Sequence, residues 1–198
     1  MRIIAGEFRG RKLLSVRGMK TRPTSDRIRE SIFNILSDTV QDAVVLDLFA
    51  GTGAMGIEAL SRGARYALFL EQNREALAAV SQNIRNCSLE NRTRIMRWDI
   101  VKNLNCIRNM PSPFTLVFMD PPYDQNMVEP ALHNLMQTGS LSAGAVIVAE
   151  HTPAEIVETQ GVEITDQRKY GKTLISFLRY IGTEQQPVNE TSVFQSDV

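Results

Sequence analysis

The sequence lacks the features that mark secreted, membrane-spanning and disulfide-stabilised proteins. It has only two cysteines, Cys87 and Cys106, which are too few for a disulfide scaffold and form no zinc-type cluster. No apolar run approaches the roughly 18 residues of a transmembrane helix. The N-terminus is basic but has no apolar signal-peptide core. We therefore expect a cytoplasmic protein without a membrane segment or a bound metal.

The chain also lacks net charge, because 22 Lys and Arg balance 22 Asp and Glu. The distribution is uneven: residues 1–30 hold nine basic and three acidic side chains, and the remainder holds thirteen basic and nineteen acidic ones. A basic end on an acidic body is typical of a protein that meets a polyanion, although a solvated terminal segment gives the same pattern. Residues 181–198 contain no Lys or Arg and few apolar residues, which predicts a disordered tail.

The apolar pattern predicts a small N-terminal unit followed by an α/β domain. Residues 2–5 and 11–16 flank a Gly-bounded turn, which is typical of a hairpin, and residues 25–37 have helical periodicity. Short apolar runs then alternate with helical patterns, which favours a parallel sheet covered on both faces. The predicted strands are 43–46, 66–70, 93–98, 114–119 and 145–149, and the predicted helices are 55–62, 74–86, 127–137 and, more weakly, 100–109.

Two further strand-like runs, 162–168 and 173–180, predict an antiparallel hairpin at the sheet edge. The helix predicted over residues 25–37 would bury Ile28, Ile32, Ile35 and Leu36. The predicted organisation is a basic hairpin and helix over residues 1–40, a main domain over 41–180, and a tail over 181–198.

Acidic residues lie at the carboxyl ends of the five main apolar runs, and they are Asp47, Glu71, Asp99, Asp120 and Glu150. Because ligands of open parallel sheets bind outside these strand ends, the acids predict a rim for a ligand with a cation and sugar hydroxyls. Such a rim would repel a pyrophosphate. Any one of these acids, taken alone, is also explained as a turn or helix-cap residue.

A glycine-rich loop follows the first predicted strand. Gly51, Gly53 and Gly56 give the G-x-G-x-x-G pattern of dinucleotide-binding proteins, with Glu71 twenty residues after Gly51. Asp47 precedes the first glycine, near where a pyrophosphate would sit, which argues against NAD. S-adenosylmethionine (SAM) has a sulfonium and an ammonium group but no phosphate, so it suits the acidic rim better. Tight packing of the turn is the alternative explanation of the glycines.

The tetrapeptide Asp120-Pro121-Pro122-Tyr123 follows a strongly apolar strand and is the predicted catalytic motif. The prolines lack N–H donors, but their carbonyls can accept hydrogen bonds. With the Asp120 carboxylate and the flat face of Tyr123, they predict a receptor for a planar group with an exocyclic NH₂. Methylation puts positive charge on that nitrogen, and a carboxylate at about 4 Å would attract it by roughly 4 kcal/mol. An ordinary proline turn is the alternative.

Several motifs resemble known families. LDLFAGTGAMGIEAL, FLEQN, RWD and FMDPPY resemble the class I SAM-dependent methyltransferases that modify exocyclic amines. RIIAGEFRGRKL, RPTSDRIRESIFNIL and KYGKTLISFLRY resemble the bacterial RsmD family, which methylates N2 of a guanine in 16S ribosomal RNA. The resemblance implies a Rossmann-like, seven-stranded, mostly parallel sheet with an antiparallel last strand. It also implies SAM as cofactor and 16S rRNA or the assembling small subunit as partner, and we expect a monomer.

The resemblance also assigns roles to individual residues. The methionine moiety of SAM would be held by Asp47, Phe49, Ala50, Gly51 and Gly53. Ribose and adenine would be held by Glu71, Gln72, Trp98 and Asp99. The target guanine would be held by Asp120, Pro121, Pro122 and Tyr123. RNA would be met by Arg9, Arg11 and Lys12 of the basic arm and by Arg22, Pro23, Thr24, Arg27 and Arg29.

Other functions stay open at this point. The Asp-Pro-Pro-Tyr motif also fits methylation of adenine or cytosine in DNA, or of glutamine in a protein, because all of these present a similar NH₂ group. The glycine pattern by itself fits an NAD-dependent oxidoreductase. The basic arm by itself fits a non-catalytic RNA-binding assembly factor. The sequence gives neither the target nucleotide nor the choice between naked rRNA and an assembled particle.

Overall fold

A seven-stranded sheet with helices on both faces forms the body of the protein. The computed structural model describes residues 1–16, 26–122, 125–155, 157 and 159–182. The strands are β1 Val44–Leu48, β2 Tyr66–Glu71, β3 Thr93–Arg97, β4 Phe114–Met119, β5 Leu141–His151, β6 Val162–Tyr170 and β7 Thr173–Tyr180. The α-helices are α1 Asp26–Leu36, α2 Ala54–Ser61, α3 Arg74–Asn86 and α4 Val128–Met136.

The strand order is β3-β2-β1-β4-β5-β7-β6. Strands β1 to β5 are parallel, and β7 runs antiparallel to both of its neighbours, β5 and β6. The predicted hairpin therefore forms, with its first strand β6 at the edge and β7 inside the sheet. The predicted mostly parallel sheet with an antiparallel last strand is confirmed.

Buried apolar strands explain the layered core. All five residues of β1 are buried, as are the last four of β4. One cluster of buried side chains packs between the sheet and α1, α2 and α3, and the other packs between the sheet and α4.

Helix α3 begins where predicted because the Asn73 side chain accepts hydrogen bonds from the N–H groups of Glu75 and Ala76.

The weak helix predicted over residues 100–109 does not form. This segment contains only one 3₁₀ turn, Asn105–Ile107. The Asn103 side chain accepts a hydrogen bond from the Asn105 N–H at 3.1 Å. Such local side-chain bonds compete with helical backbone bonds, so the asparagines favour a turn here.

Helix α1 is rotated relative to its predicted buried stripe. Its buried residues are Arg29, Ile32, Phe33 and Leu36. Ile35, which the periodicity placed in the core, is 39% exposed. The apolar pattern did not identify this face because it includes an arginine, a residue that is rarely buried without partners.

The N-terminal segment packs onto α2. One antiparallel bridge, between Arg2 and Lys12, closes the predicted hairpin. The Glu58 carboxylate of α2 accepts hydrogen bonds from the N–H groups of Ile4 and Ala5 at 2.8 and 3.0 Å. Apolar residues of this segment and of α1 belong to the same core cluster as β1 and α2, so residues 1–16 and 26–40 share a core with the main domain.

Close packing at Gly56 gives a first testable prediction. A Cβ at Gly56 would lie 2.4 Å from the buried Phe69 ring and 3.0 Å from Asp47 Oδ2. We expect Gly56→Ala to lower the free energy of unfolding by about 1–3 kcal/mol, because overpacking displaces buried side chains. Chemical denaturation would measure the loss. The double variant with Phe69→Leu should recover part of it, and strict additivity of the two substitutions would contradict the proposed steric cause.

Candidate active site

The carboxyl ends of β1 and β4 meet where the winding of the sheet reverses. From β1 the sheet continues to β2 and β3 on one side, and to β4 and β5 on the other. Leu48 of β1 pairs with Met119 of β4, so Phe49 and Asp120 leave the sheet as neighbours. Open α/β sheets bind their ligands at this switch point.

A cavity of about 460 Å³ lies at this point, within the size range of small-molecule sites. It is lined by eight of the residues predicted to hold the cofactor or the target base, namely Asp47, Phe49, Ala50, Gly51, Glu71, Gln72, Asp120 and Pro122. Arg29 also lines it, and it is the one Lys or Arg side chain among the described lining residues. The cavity therefore combines three carboxylates with one guanidinium.

One glycine of the glycine loop, Gly51, lies at the cavity, and the other two, Gly53 and Gly56, pack against the core. Gly51 has a φ of +56°, and a Cβ there would meet nothing closer than 3.9 Å, so a ligand can approach its backbone. A Cβ on Gly53 would lie 2.5 Å from Val80, and one on Gly56 would lie 2.4 Å from Phe69. Both explanations of the glycines therefore apply: Gly51 leaves room for a ligand, and the other two permit tight packing.

Asp47 is a buried carboxylate at the cavity. Its residue surface is 3% exposed, and its Oδ2 accepts a hydrogen bond from the Gly56 N–H at 2.9 Å. Burial raises the pKa of Asp47 to about 8; the Glu71 carboxylate adds to the rise, and the Gly56 hydrogen bond opposes it. A cation beside Asp47 would stabilise its charged form, so this position favours a positively charged ligand group.

Glu71 joins the end of β2 to the glycine loop. Its Oε2 accepts from the Gly51 N–H at 2.9 Å, and its Oε1 accepts from the Gln72 and Asn73 N–H groups, each at 2.8 Å. A carboxylate offers about four lone-pair positions, so these bonds leave about one for a ligand hydroxyl. The sequence argument missed this loop-fixing role, and the expected ribose contact stays a prediction.

The predicted catalytic turn begins at the same cavity. Asp120 and Pro122 line it, and Pro121 is buried. Tyr123 lies outside the described residues, so its stacking role stays a prediction. The structure thus brings Asp120 from the end of β4 to the cavity that the Asp47 carboxylate of β1 also lines.

Two acids of the predicted rim, Asp99 and Glu150, and the predicted cofactor contact Trp98 do not line the cavity. The indole Nε1 of Trp98 donates to the Asn103 carbonyl at 2.7 Å, and its ring packs against the α4-side core. Asp99 is exposed and accepts from the Lys102 N–H at 3.2 Å, as a turn residue does. Glu150 lies within β5, where it pairs with β7. The adenine contacts of Trp98 and Asp99 therefore stay predictions.

The basic arm presents several exposed cations, and these are Arg9, Arg11, Lys12 and Arg27. Arg29 corrects the sequence prediction: it is 0% exposed and lies inside the protein beside the cavity, so it is not part of the outer surface that RNA would meet. Its side chain faces inward because it pairs with Asp26 and Glu58. The predicted RNA contacts that lie outside the described residues are Arg22, Pro23 and Thr24.

The described residues contain neither a metal-binding cluster nor a membrane-spanning helix. That part of the chain contains no group of three or more His, Cys, Asp or Glu side chains placed to hold a metal ion. None of its helices is both long and apolar enough to cross a membrane. Cys87 and Cys106 are free thiols, the first buried and the second partly buried.

The lining residues fit SAM better than a dinucleotide. The buried Asp47 carboxylate suits an ammonium group, and the open backbone at Gly51 allows close approach of a ligand. A pyrophosphate would meet the carboxylates of Glu71 and Asp120 and would oppose the ionisation of Asp47, with only one guanidinium to offset these effects. The electrostatics therefore favour a ligand that carries cations and no phosphate.

Several known proteins are similar to this chain in sequence and in fold. The family model described as conserved hypothetical protein 95 matches residues 1–179. The ribosomal RNA small subunit methyltransferase D of Escherichia coli strain K12 is 36% identical over 150 residues, covering 76% of this chain and 74% of that protein. The YlbH protein of Bacillus subtilis strain 168 is 35% identical over 184 residues, covering 92% of this chain and 100% of that protein.

The solved structures agree. The yhhF protein of Escherichia coli has a TM-score of 0.79 and 31% identity, covering 92% of this chain and 99% of that one. These matches confirm the predicted class I methyltransferase fold and family, and they do not favour the NAD-dependent oxidoreductase. The chain belongs to the conserved hypothetical protein 95 family, the RsmD family of SAM-dependent ribosomal RNA methyltransferases.

Proposed function

We propose that this protein transfers a methyl group from SAM to the exocyclic N2 amine of a guanine in small-subunit (16S) ribosomal RNA. The observation that carries the proposal is that the glycine loop after β1 and the Asp-Pro-Pro turn after β4 line one cavity. The name of the Escherichia coli relative, ribosomal RNA small subunit methyltransferase D, supports this substrate class. The choice of guanine N2 rests on the family resemblance.

SAM supplies a methyl group attached to a positively charged sulfur. In the proposed complex Asp47 holds the ammonium group, and the remaining lone pair of Glu71 accepts a ribose hydroxyl. Gly51 leaves space for the ligand along its backbone. The carboxylates that line the cavity stabilise the positive charges of the bound cofactor.

Asp120 acts on the target amine. The lone pair of an aryl amine is delocalised into the ring, so the amine is a weak nucleophile. Hydrogen bonds from the amine to the Asp120 carboxylate and to a carbonyl of the Pro121-Pro122 turn would direct its lone pair at the methyl carbon. As the N–C bond forms and the C–S bond breaks, positive charge grows on nitrogen and Asp120 stabilises it. The excess proton then leaves to Asp120 or to water.

The exposed basic arm positions the RNA. Guanine N2 is inaccessible within a base stack, so the target base must leave the stack to reach Asp120. The four exposed cations of the arm neutralise phosphates without reading sequence. Selection of one guanine then depends on RNA shape and accessibility.

The raised pKa of Asp47 predicts pH-dependent SAM binding. Because the pKa is about 8 without ligand, Asp47 holds a proton at neutral pH and must release it when an ammonium group binds. Affinity should therefore rise between about pH 5.5 and 7.5, by up to roughly tenfold per unit, and flatten above the pKa. Calorimetry in buffers of different ionisation enthalpy would count the released protons. Asp47→Asn should bind weakly with little pH dependence, and the same slope in that variant would contradict the assignment.

The exposed arginine Arg27 provides a test of the RNA-binding arm. Arg27→Ala should weaken RNA binding and reduce the slope of log affinity against log salt by about 1, because one phosphate contact is lost. Filter binding over a salt series would measure the slope. Arg168→Ala, on the β6 edge where Arg168 pairs with Asp166, is the control and should leave the slope unchanged. An unchanged slope for Arg27→Ala would exclude a phosphate contact at that position.

The substrate class can be tested directly. The protein is incubated with methyl-labelled SAM and separate pools of small-subunit particles, naked rRNA, DNA and protein. We expect label in rRNA or small-subunit particles, with N2-methylguanosine in the digest. Label in DNA or in protein glutamine would replace the proposal with the alternative amine substrates. Binding of SAM without transfer to any pool would favour a non-catalytic assembly factor.

A further inference from the structure

Arg29 is a buried guanidinium whose hydrogen-bonding capacity is only partly used. Its residue surface is 0% exposed. Its Nη2 donates to the Arg2 carbonyl and, at 3.1 Å, to Asp26 Oδ1. Its Nε and Nη1 are buried and have no hydrogen-bond partner. Unmade hydrogen bonds of a buried charged group cost free energy, so an interior position of this kind calls for a partner.

The nearby Glu58 carboxylate does not satisfy these donors. Its Oε2 lies 3.9 Å from Arg29 Nε, which is beyond hydrogen-bond distance. The two Glu58 oxygens already accept from the Ile4 and Ala5 N–H groups and, at 2.7 Å, from Arg62 Nε. Burial lowers the pKa of Arg29, as expected for a cation whose surroundings only partly compensate it.

The cavity needs a cation for one part of the cofactor. The methionine moiety of SAM carries a carboxylate as well as an ammonium group. The carboxylates of Asp47, Glu71 and Asp120 would repel that anion. Arg29 is the one Lys or Arg side chain among the described lining residues, so it is the side chain able to offset the repulsion.

We propose that Arg29 binds the carboxylate of the methionine moiety of SAM through the donors that lack partners in the protein. The inference rests on the proposed function, since it requires SAM in this cavity. It assigns Asp47 and Arg29 complementary parts, with the acid holding the ammonium group and the guanidinium holding the carboxylate. Hydrogen bonds between charged groups of this kind are among the strongest available to a protein.

The test compares two ligands that differ only in that carboxylate. Calorimetry measures the dissociation constants of SAM and of decarboxylated SAM for the full-length protein and for Arg29→Met. We expect the unmodified protein to bind SAM at least about tenfold more tightly, and the Arg29→Met protein to bind both ligands with similar, weaker affinity. Arg62→Met is the matched control, because Arg62 also pairs with Glu58 but does not line the cavity. It should keep the original affinity ratio.

The outcomes separate the two proposals. If the unmodified protein binds neither ligand, the proposed function itself fails. If it binds both equally, or if Arg29→Met keeps the preference for SAM, Arg29 does not hold the carboxylate and the proposal is wrong. Should Arg29→Met fail to fold, the arginine Nε–H resonance of Arg29 in the unmodified protein decides. It should shift with SAM and not with decarboxylated SAM, and equal shifts would overturn the assignment.

Discussion

Replacing Asp120 with alanine is expected to lower the rate of methyl transfer about 1,000-fold. The physical reason is the lost attraction of roughly 4 kcal/mol between the carboxylate and the positive charge that grows on the amine, at about tenfold per 1.4 kcal/mol. SAM affinity should change little, because Asp47 and Glu71 supply the other acidic contacts of the cavity. Single-turnover transfer from labelled SAM to rRNA, together with calorimetry, would measure both quantities.

Glu90→Ala is the control for this variant. Glu90 is also acidic, but it is exposed, lies in the turn before β3 and does not line the cavity. We expect it to retain transfer within a few-fold. Full activity in Asp120→Ala would show that positioning by the rest of the turn is sufficient, and it would remove the carboxylate from the proposed mechanism.

Replacing Glu58 with alanine is expected to lower the free energy of unfolding by about 3–5 kcal/mol. The Glu58 side chain is 1% exposed and accepts from two backbone N–H groups and from Arg62. Its removal leaves these donors without an acceptor and takes away one of the two carboxylates that compensate the buried Arg29, the other being Asp26. Denaturant unfolding would measure the loss, and the midpoint of thermal unfolding should fall by roughly 6–20 °C. The N-terminal segment should also become more sensitive to proteolysis.

A surface ion pair provides the comparison for Glu58. Glu163 and Arg179 lie 3.7 Å apart with about half of each side chain exposed. Such pairs contribute about 0–1 kcal/mol, so Glu163→Ala should lower the free energy of unfolding by at most about 1 kcal/mol. If the two variants lost similar amounts, the buried position of Glu58 would not be the source of its effect.

The sequence determined the order and type of most elements. Near-continuous apolar runs with flanking turn residues located β1 to β4 within a few residues of their observed bounds. The side chain of Asn73 starts α3 through local hydrogen bonds, so that boundary also depends on neighbouring residues alone. Strand β5 is longer than predicted, Leu141–His151, and its first residue, Leu141, pairs with Phe114 of β4 ahead of a register shift.

The sequence also identified residues of the candidate site, through the glycine loop and the acids at the strand ends. It did not determine which acids share a site. Asp47, Glu71 and Asp120 line the cavity, but Asp99 and Glu150 do not. The reason is strand order: β1 and β4 flank the switch point, whereas β3 lies two strands from β1 and β5 lies beyond β4.

Only the tertiary structure revealed the buried polar residues. Glu58, Asn83 and Arg29 lie in helices and look like ordinary surface residues in the sequence, yet all three are 0% exposed. Asn83 accepts from the Leu14 N–H and donates to the Thr52 carbonyl, which joins the N-terminal segment to the glycine loop. Local sequence patterns set backbone preferences, but the burial of a charge depends on partners supplied by distant parts of the chain. Those partners come together only when the sheet and the N-terminal segment pack.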